Sequence, residues 1–212
     1  MSITQVVEDV LRFFTTYTGS YAWAIIILTI IIKAAMYPLT VRQFRVIDQM
    51  KKIAPKQKEL QEKYKGKPEE LQRRMAELYR DNKVNPLGGC LPMLLPLPIL
   101  MIMYRVFLNE AFIQTLKEAG FSIGFLWIPD LSKPDPWILP ILSGVTTWVT
   151  MQQTATDPAQ KSSMIIMPLV LGWITTRLPG GAAIYWVVTN IVTIIQQFFI
   201  TRQMAVPRKG VS

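Results

Sequence analysis

Residues 21–41 read YAWAIIILTIIIKAAMYPLTV, and this stretch decides the fold class. Its apolar character persists over about the ~20 residues that a helix needs to cross a bilayer, with one charge, Lys33, inside it. Four further runs follow, at 87–107, 137–155, 163–178 and 182–201. Pro92, Pro96 and Pro98 in the second would break a soluble helix, but membrane helices tolerate prolines whose freed carbonyls find other partners. The fourth run rises only ~24 Å, short of a ~30 Å hydrocarbon core, so local thinning or neighbouring helices must compensate. Leu178-Pro179-Gly180-Gly181 leaves room for no more than a turn between the fourth and fifth. The pattern predicts an all-α integral membrane protein with five transmembrane helices, spans one to five, bounded at 19–41, 86–108, 137–155, 163–178 and 182–201. A cytoplasmic segment at 42–85, an outer loop at 109–136, a cytoplasmic loop at 156–162, a turn at 179–181 and a tail at 202–212 join and end them.

Composition narrows the chemistry. Half of the 212 residues are hydrophobic, 17% are charged, and the formal net charge is +9. Cys90 is the single cysteine and there is no histidine. An intrachain disulfide is therefore impossible, and a zinc site or a histidine-based triad is excluded in practice. No phosphate-binding loop is present, so nothing points to nucleotide hydrolysis. No metal, cofactor or catalytic residue is expected, and the chain does not read as an enzyme.

The basic residues orient the spans. Segment 42–83 carries 13 Lys and Arg, position 161 one more and the tail after Thr201 three, against Arg12, Lys117, Lys133 and Arg177 on the other side. The positive-inside rule then places the N-terminus outside and the C-terminus in the cytoplasm. The first 18 residues lack the basic start and apolar core of a signal peptide. Ile3, Val6, Val7, Val10, Phe14 and Tyr17 share one helical face, and Ser2 with Gln5 fits a capping box. An N-terminal amphipathic interfacial helix is the reading, against a frayed terminus.

Residues 42–83 predict two helices around Lys65-Gly66-Lys67-Pro68, an antiparallel hairpin. Its thin seams are Ile47, Met50, Ile53, Leu60 and Tyr64 on one helix, Leu71, Met75, Leu78 and Tyr79 on the other. No RNA-binding motif accompanies the charge, so no direct nucleic-acid recognition is expected. Two readings of the basic surface stay open: a solvated hairpin near anionic headgroups, or a docking surface for a ribosome, a nascent chain or another cytoplasmic partner.

Lys33 lies nine residues before Arg42, ~13 Å along a helix and near mid-membrane. An ammonium there costs at least ~2.5–3.5 kcal/mol, and none of the five runs contains Asp or Glu to pair with it. Polar residues recur at helical spacing in three runs: Thr29, Lys33, Tyr37 and Thr40; Thr146, Thr150 and Gln153, with Gln152 beside them; Trp186, Asn190, Thr193 and Gln197, with Gln196 adjoining. Ordinary interhelical hydrogen bonding explains any single row. Three rows together with an unpaired charge favour a wet groove open to the cytoplasm, lined by Lys33, Thr29, Tyr37, Thr150, Gln153, Trp186, Asn190 and Gln197. Arg105 reads as a snorkelling anchor.

Several stretches carry a family likeness. They are Tyr37-Pro38-Leu39-Thr40, Asn85-Pro86-Leu87-Gly88-Gly89-Cys90, Leu126-Trp127-Ile128-Pro129-Asp130-Leu131, Asp135-Pro136 and Ile138-Leu139-Pro140-Ile141-Leu142. Thr156-Asp157-Pro158, Leu178-Pro179-Gly180-Gly181 and the run from Asn190 to Gln197 complete the set. In their order and spacing the chain resembles the bacterial YidC-type membrane protein insertases over nearly its whole length. The resemblance implies a five-helix core with a cytoplasmic hairpin, in the bacterial plasma membrane. It also implies an open-sided hydrophilic groove with one functional cation, whose position falls on Lys33. The implied activity is insertion and chaperoning of nascent membrane proteins, with those proteins and the lipid bilayer as partners and a Sec translocon and ribosome as candidates. In this family the groove cation is usually arginine; lysine keeps the charge and loses the bidentate fork. Many relatives also have an extra N-terminal span with a large extracytoplasmic domain, or a lipoprotein signal, and neither is expected here. The short tail weakens an expectation of strong tail-mediated ribosome binding.

Two other functions stay open at this point. A small transporter or ion pathway should show an internal repeat, broken helices or intramembrane acids, and neither a repeat nor such acids is found. A structural assembly factor would keep a fixed partner in the groove.

Overall fold

The computed structural model describes residues 2–85, 96–155 and 163–205. Within them the chain is helical, with isolated bridges pairing Ser20 with Ser122 and Phe125 with Ile128. The segment around Pro86–Cys90, the first part of the second apolar run, the Thr156-Asp157-Pro158 stretch and the tail beyond Ala205 lie outside the described residues.

Helix α1 (Ile3–Thr18) begins as the sequence suggests, with reciprocal hydrogen bonds between Ser2 and Gln5. It ends at Gly19, whose φ of 69° is the left-handed conformation that glycine adopts without strain. Part of the expected apolar face packs inward, with Val7, Val10 and Phe14 against the core. Leu11 and Thr15 are buried, whereas Ile3, Val6 and Tyr17 are exposed alongside Phe13. The apolar residues divide between a side packed on the next helix and an outward flank, because tertiary packing selects the inner side.

Helix α2 (Tyr21–Ala35) and helix α3 (Tyr37–Lys63) replace the single straight helix expected from 19 to 41, meeting at a 63° bend. Pro38 explains the break. It has no N–H to offer the Ala34 carbonyl, and its ring crowds that position. Hydropathy runs across the bend without a mark. As a result Tyr37 and Thr40 do not continue the face of Thr29 and Lys33. Helix α4 (Pro68–Asp81) packs on α3, where Met50 and Ile53 meet Val84, Val46, Leu78 and Tyr79. Gln57 donates to the Tyr79 hydroxyl at 3.3 Å.

Helices α5 (Pro96–Phe107) and α6 (Glu110–Glu118) are bent against each other by 61°. Helix α7 (Ile138–Thr154) is followed by α8 (Ser163–Thr175) and α9 (Gly180–Ala205). Among the described helices, Gly180–Met204 is the one long and apolar enough to cross a membrane unaided. The bent pairs α2–α3 and α5–α6 qualify if each is taken as one element. α9 is the central post, packing on α2, α5, α7 and α3, while α8 packs on α7.

The main core gathers Leu11, Tyr21, Ile25, Phe107 and Leu116 with the first turns of α9, Ala182 through Tyr185. Gly181 allows this closeness: a Cβ there would lie 2.6 Å from the Phe107 ring. The loop between α6 and α7 is held down locally. The Asp130 carboxylate accepts from the Ser132 N–H and hydroxyl and from Lys117. Burial pulls that carboxyl up, but these donors outweigh it and leave it below the usual carboxylate range.

Candidate functional site

The polar rows converge on α9. α2 and α7 each pack on it and make at most marginal contact with each other. The space between them over α9 is where the expected groove would lie. At the end carrying Tyr21 and Ala182 the helices meet in the apolar core, both side chains being fully buried. The polar side chains sit farther along α9, toward its C-terminal half.

Lys33 stands in the last turn of α2, partly buried. Its Nζ donates to the Thr193 hydroxyl at 2.7 Å, and that hydroxyl in turn donates to the Thr189 carbonyl at 2.7 Å. Gln196 donates to the Lys33 backbone carbonyl at 3.2 Å. Ion pairs among the described residues do not include Lys33. An ammonium has three donors, so this one keeps capacity for an incoming acceptor.

The α7–α9 side is a denser polar seam. Trp186 Nε1 donates to the Thr147 hydroxyl at 3.0 Å. Asn190 donates to Thr147 at 3.0 Å and to Thr146 at 3.1 Å. Gln197 donates to the Gln153 carbonyl at 2.9 Å. The seam is buried at Trp186, Asn190 and Gln197, while Thr150 and Gln153 are half-buried at its edge. Thr150 donates to the Thr146 carbonyl of its own helix.

Of the residues expected to line the groove, Lys33, Thr150, Gln153, Trp186, Asn190 and Gln197 thus gather on or beside α9. Thr29 is buried and donates to the Ile25 carbonyl at 2.7 Å, which removes it from the expected groove. Tyr37 is displaced past the bend and exposed, and Thr40 is buried against the Met36 carbonyl. Gln152 faces outward.

Two residues that the polar rows did not single out matter here. Thr147 accepts from both Trp186 and Asn190 although it lies one position off the Thr146–Thr150–Gln153 row. Its signal is the i, i+4 pair with Ser143, which is also buried. Lys51, on α3, donates to the Gln153 carbonyl at 2.5 Å and so ties α3 to the end of α7. Burial holds its ammonium below the usual lysine range, with Asp48 partly offsetting. Only the fold could bring α3 over the end of α7.

Thr147→Val should destabilise the α7–α9 seam by ~1 kcal/mol, because two buried donors lose their shared acceptor. A double-mutant cycle with Trp186→Phe in detergent-unfolding experiments reads the coupling; strict additivity would contradict it.

Comparison with known proteins places this architecture. Residues 13–208 match the family described as 60Kd inner membrane protein. The chain is 42% identical over 198 residues to the membrane protein insertase YidC of Geobacter sulfurreducens, covering 92% of this chain and 36% of that protein. It therefore spans about a third of the length of that relative. It is 39% identical over 203 residues to the YidC of Caldanaerobacter subterraneus subsp. tengcongensis, covering 95% of both chains. Among solved structures it is similar to a crystal structure of an active YidC insertase with its first transmembrane domain resolved. That match has a TM-score of 0.73 and 26% identity, over 92% of this chain and 46% of the other. The chain belongs to the 60Kd inner membrane protein family, the family of the YidC membrane protein insertases that it matches in sequence and fold.

Proposed function

We propose that this chain is a membrane protein insertase and chaperone that works through the cleft over α9, without nucleotide hydrolysis. The observation that carries the proposal is Lys33: a cation among apolar helices, hydrogen-bonded to Thr193 and with donors to spare. In this reading α2, the run containing α5, and α7, α8 and α9 supply five spans. α1 lies in the outer interface, and α3 with α4 forms a cytoplasmic hairpin. The cleft then opens to the cytoplasm and closes toward the outside at the Tyr21–Ala182 end.

The chemistry follows from where charge and apolar surface sit. The hydrophilic tail or loop of a nascent protein enters the cleft, where its backbone and polar side chains meet Thr150, Gln153 and the α9 amides instead of hydrocarbon. An acidic residue on it is drawn to Lys33, an attraction that strengthens as the local dielectric falls. The following hydrophobic segment slides against α7 and α9 into lipid, driven by apolar burial. Purified protein reconstituted alone in lipid vesicles should insert a short membrane protein with an acidic translocated tail. Insertion no faster than in protein-free vesicles would falsify the proposal.

Lys51 gates the mouth in this scheme. Lys51→Ala removes the donor that ties α3 to the end of α7. A cysteine at Thr150, in a Cys90→Ser background, should then react about fivefold faster with a membrane-impermeant maleimide, the equivalent of one lost hydrogen bond. An unchanged rate would show that the mouth is already open.

A further inference from the structure

On the side of α7 away from the cleft, α7 and α8 enclose a second, apolar groove of about 540 Å³. The two helices run antiparallel and touch closely at glycines. A Cβ at Gly144 would lie 3.3 Å from the Pro168 carbonyl oxygen, and one at Gly172 would lie 3.1 Å from that of Pro140. The close crossing leaves a narrow trough along its outer edge, walled by Val145 and Leu169 with Trp137, Trp148 and Trp173. From Pro136 to Trp148 it runs ~18 Å at helical rise, comparable to the ~15 Å hydrocarbon depth of one leaflet.

The two ends differ. One ends at Trp148 and Ile165 and is apolar. The other ends at Trp137 and Thr176, with a cation beside it on Trp173. Arg177 follows Thr176, exposed, with its guanidinium 5.4 Å from the Trp173 ring centroid. Lys133 lies beside the same turn, its carbonyl accepting from the Gly180 N–H at 2.9 Å. The acids nearest in sequence are engaged elsewhere: Asp130 with Ser132 and Lys117, and Asp135, buried, with the Leu139 N–H. Neither Arg177 nor Lys133 forms an ion pair among the described residues.

We infer that this groove is a binding site for an anionic phospholipid, with an acyl chain in the α7–α8 trough and the phosphate at Arg177. A trough one leaflet deep, apolar along its length and with a cation beside one rim, has the polarity profile of a single lipid. The site is separate from the polar residues over α9; it rests on the reading of α7 and α8 as membrane spans and not on the insertase activity.

Native mass spectrometry of the full chain, released from vesicles of equal phosphatidylglycerol and phosphatidylcholine, tests the assignment. Wild-type protein should retain phosphatidylglycerol in preference. Arg177→Gln, at an exposed position that folding does not depend on, should reduce that preference about fivefold, the value of one basic residue at an anionic surface. Ile141→Trp, which fills the trough, should abolish retention of both lipids. Equal retention of the two lipids by wild type, or an unaltered preference in Arg177→Gln, would overturn the headgroup assignment. Undiminished retention in Ile141→Trp would overturn the trough. A benzophenone placed at Val145 in cell membranes identifies the occupant: lipid adducts support the inference, and adducts confined to a protein segment overturn it.

Discussion

Replacing Lys33 with alanine should lower the initial insertion rate of a substrate with an acidic translocated tail by at least ~10-fold, and Lys33→Arg should retain most of it. The size follows from Coulomb's law: a carboxylate ~4 Å from the ammonium gains ~1 kcal/mol in water and ~4 kcal/mol at an effective dielectric of 20. The cleft lies between those limits, and ~1.4 kcal/mol already gives tenfold. Lys33 also holds Thr193 at 2.7 Å, so alanine removes a contact between α2 and α9 as well as a charge. The two losses separate with Lys33→Gln, which keeps a donor for Thr193 and carries no charge. If Lys33→Gln inserts acidic substrates as wild type does, the electrostatic role fails and the hydrogen bond is what matters. A substrate whose tail has its acids changed to amides provides the converse control, and its insertion should be indifferent to Lys33→Arg and Lys33→Gln, any remaining effect of Lys33→Ala reporting the lost contact.

The second large effect concerns stability. Gly181→Ala puts a methyl group where the Phe107 ring passes at 2.6 to 2.9 Å, distances that real Cβ contacts do not sustain. Phe107 is almost fully buried and packs edge-on against Tyr21, with ring centroids 5.9 Å apart, so it has little room to retreat. Overpacking of this kind costs roughly 1–3 kcal/mol. Thermal unfolding in detergent should show the loss, and Phe107→Leu should recover part of it by opening space at the same point. If the double variant is no more stable than Gly181→Ala alone, the ring is not the obstacle. Because this core closes the end of the cleft, the same change should also weaken the seal at Tyr21.

How far the sequence foretold the site depends on the kind of signal each residue carries. Lys33 was legible because an unpaired charge in an apolar run is costly wherever the helix is placed. The Ser2–Gln5 cap was legible because it is local. The bend at Met36 was less so: Pro38 announces it, yet the apolar run continues through it, and following hydropathy merges two helices. Thr29, Tyr37 and Thr40 were misplaced for that reason or because a threonine can satisfy itself on its own helix, as Thr29 does at the Ile25 carbonyl. Thr147 and Lys51 depend on how α7 meets α9 and how α3 folds back. Those are properties of packing that residue spacing does not carry. The inner face of α1, set by Leu11 and Thr15, belongs to the same class.

The way α7 and α8 attach to the remainder has a mechanical consequence. α8 rests on α7, and α7 rests on α9. At one end the loop before α7 is pinned to the start of α9, the Lys133 and Leu131 carbonyls accepting from Gly180 and Gly181 at 2.9 Å each. At the other end α7 is held by single contacts from Gln197 and Lys51 to one carbonyl, that of Gln153. The pair is attached like a door, fixed firmly at the Gly180–Gly181 end and along the Thr147 seam and only lightly at Gln153. An outward movement of α7 would therefore be largest at Gln153 and would leave the packed core around Tyr21 undisturbed.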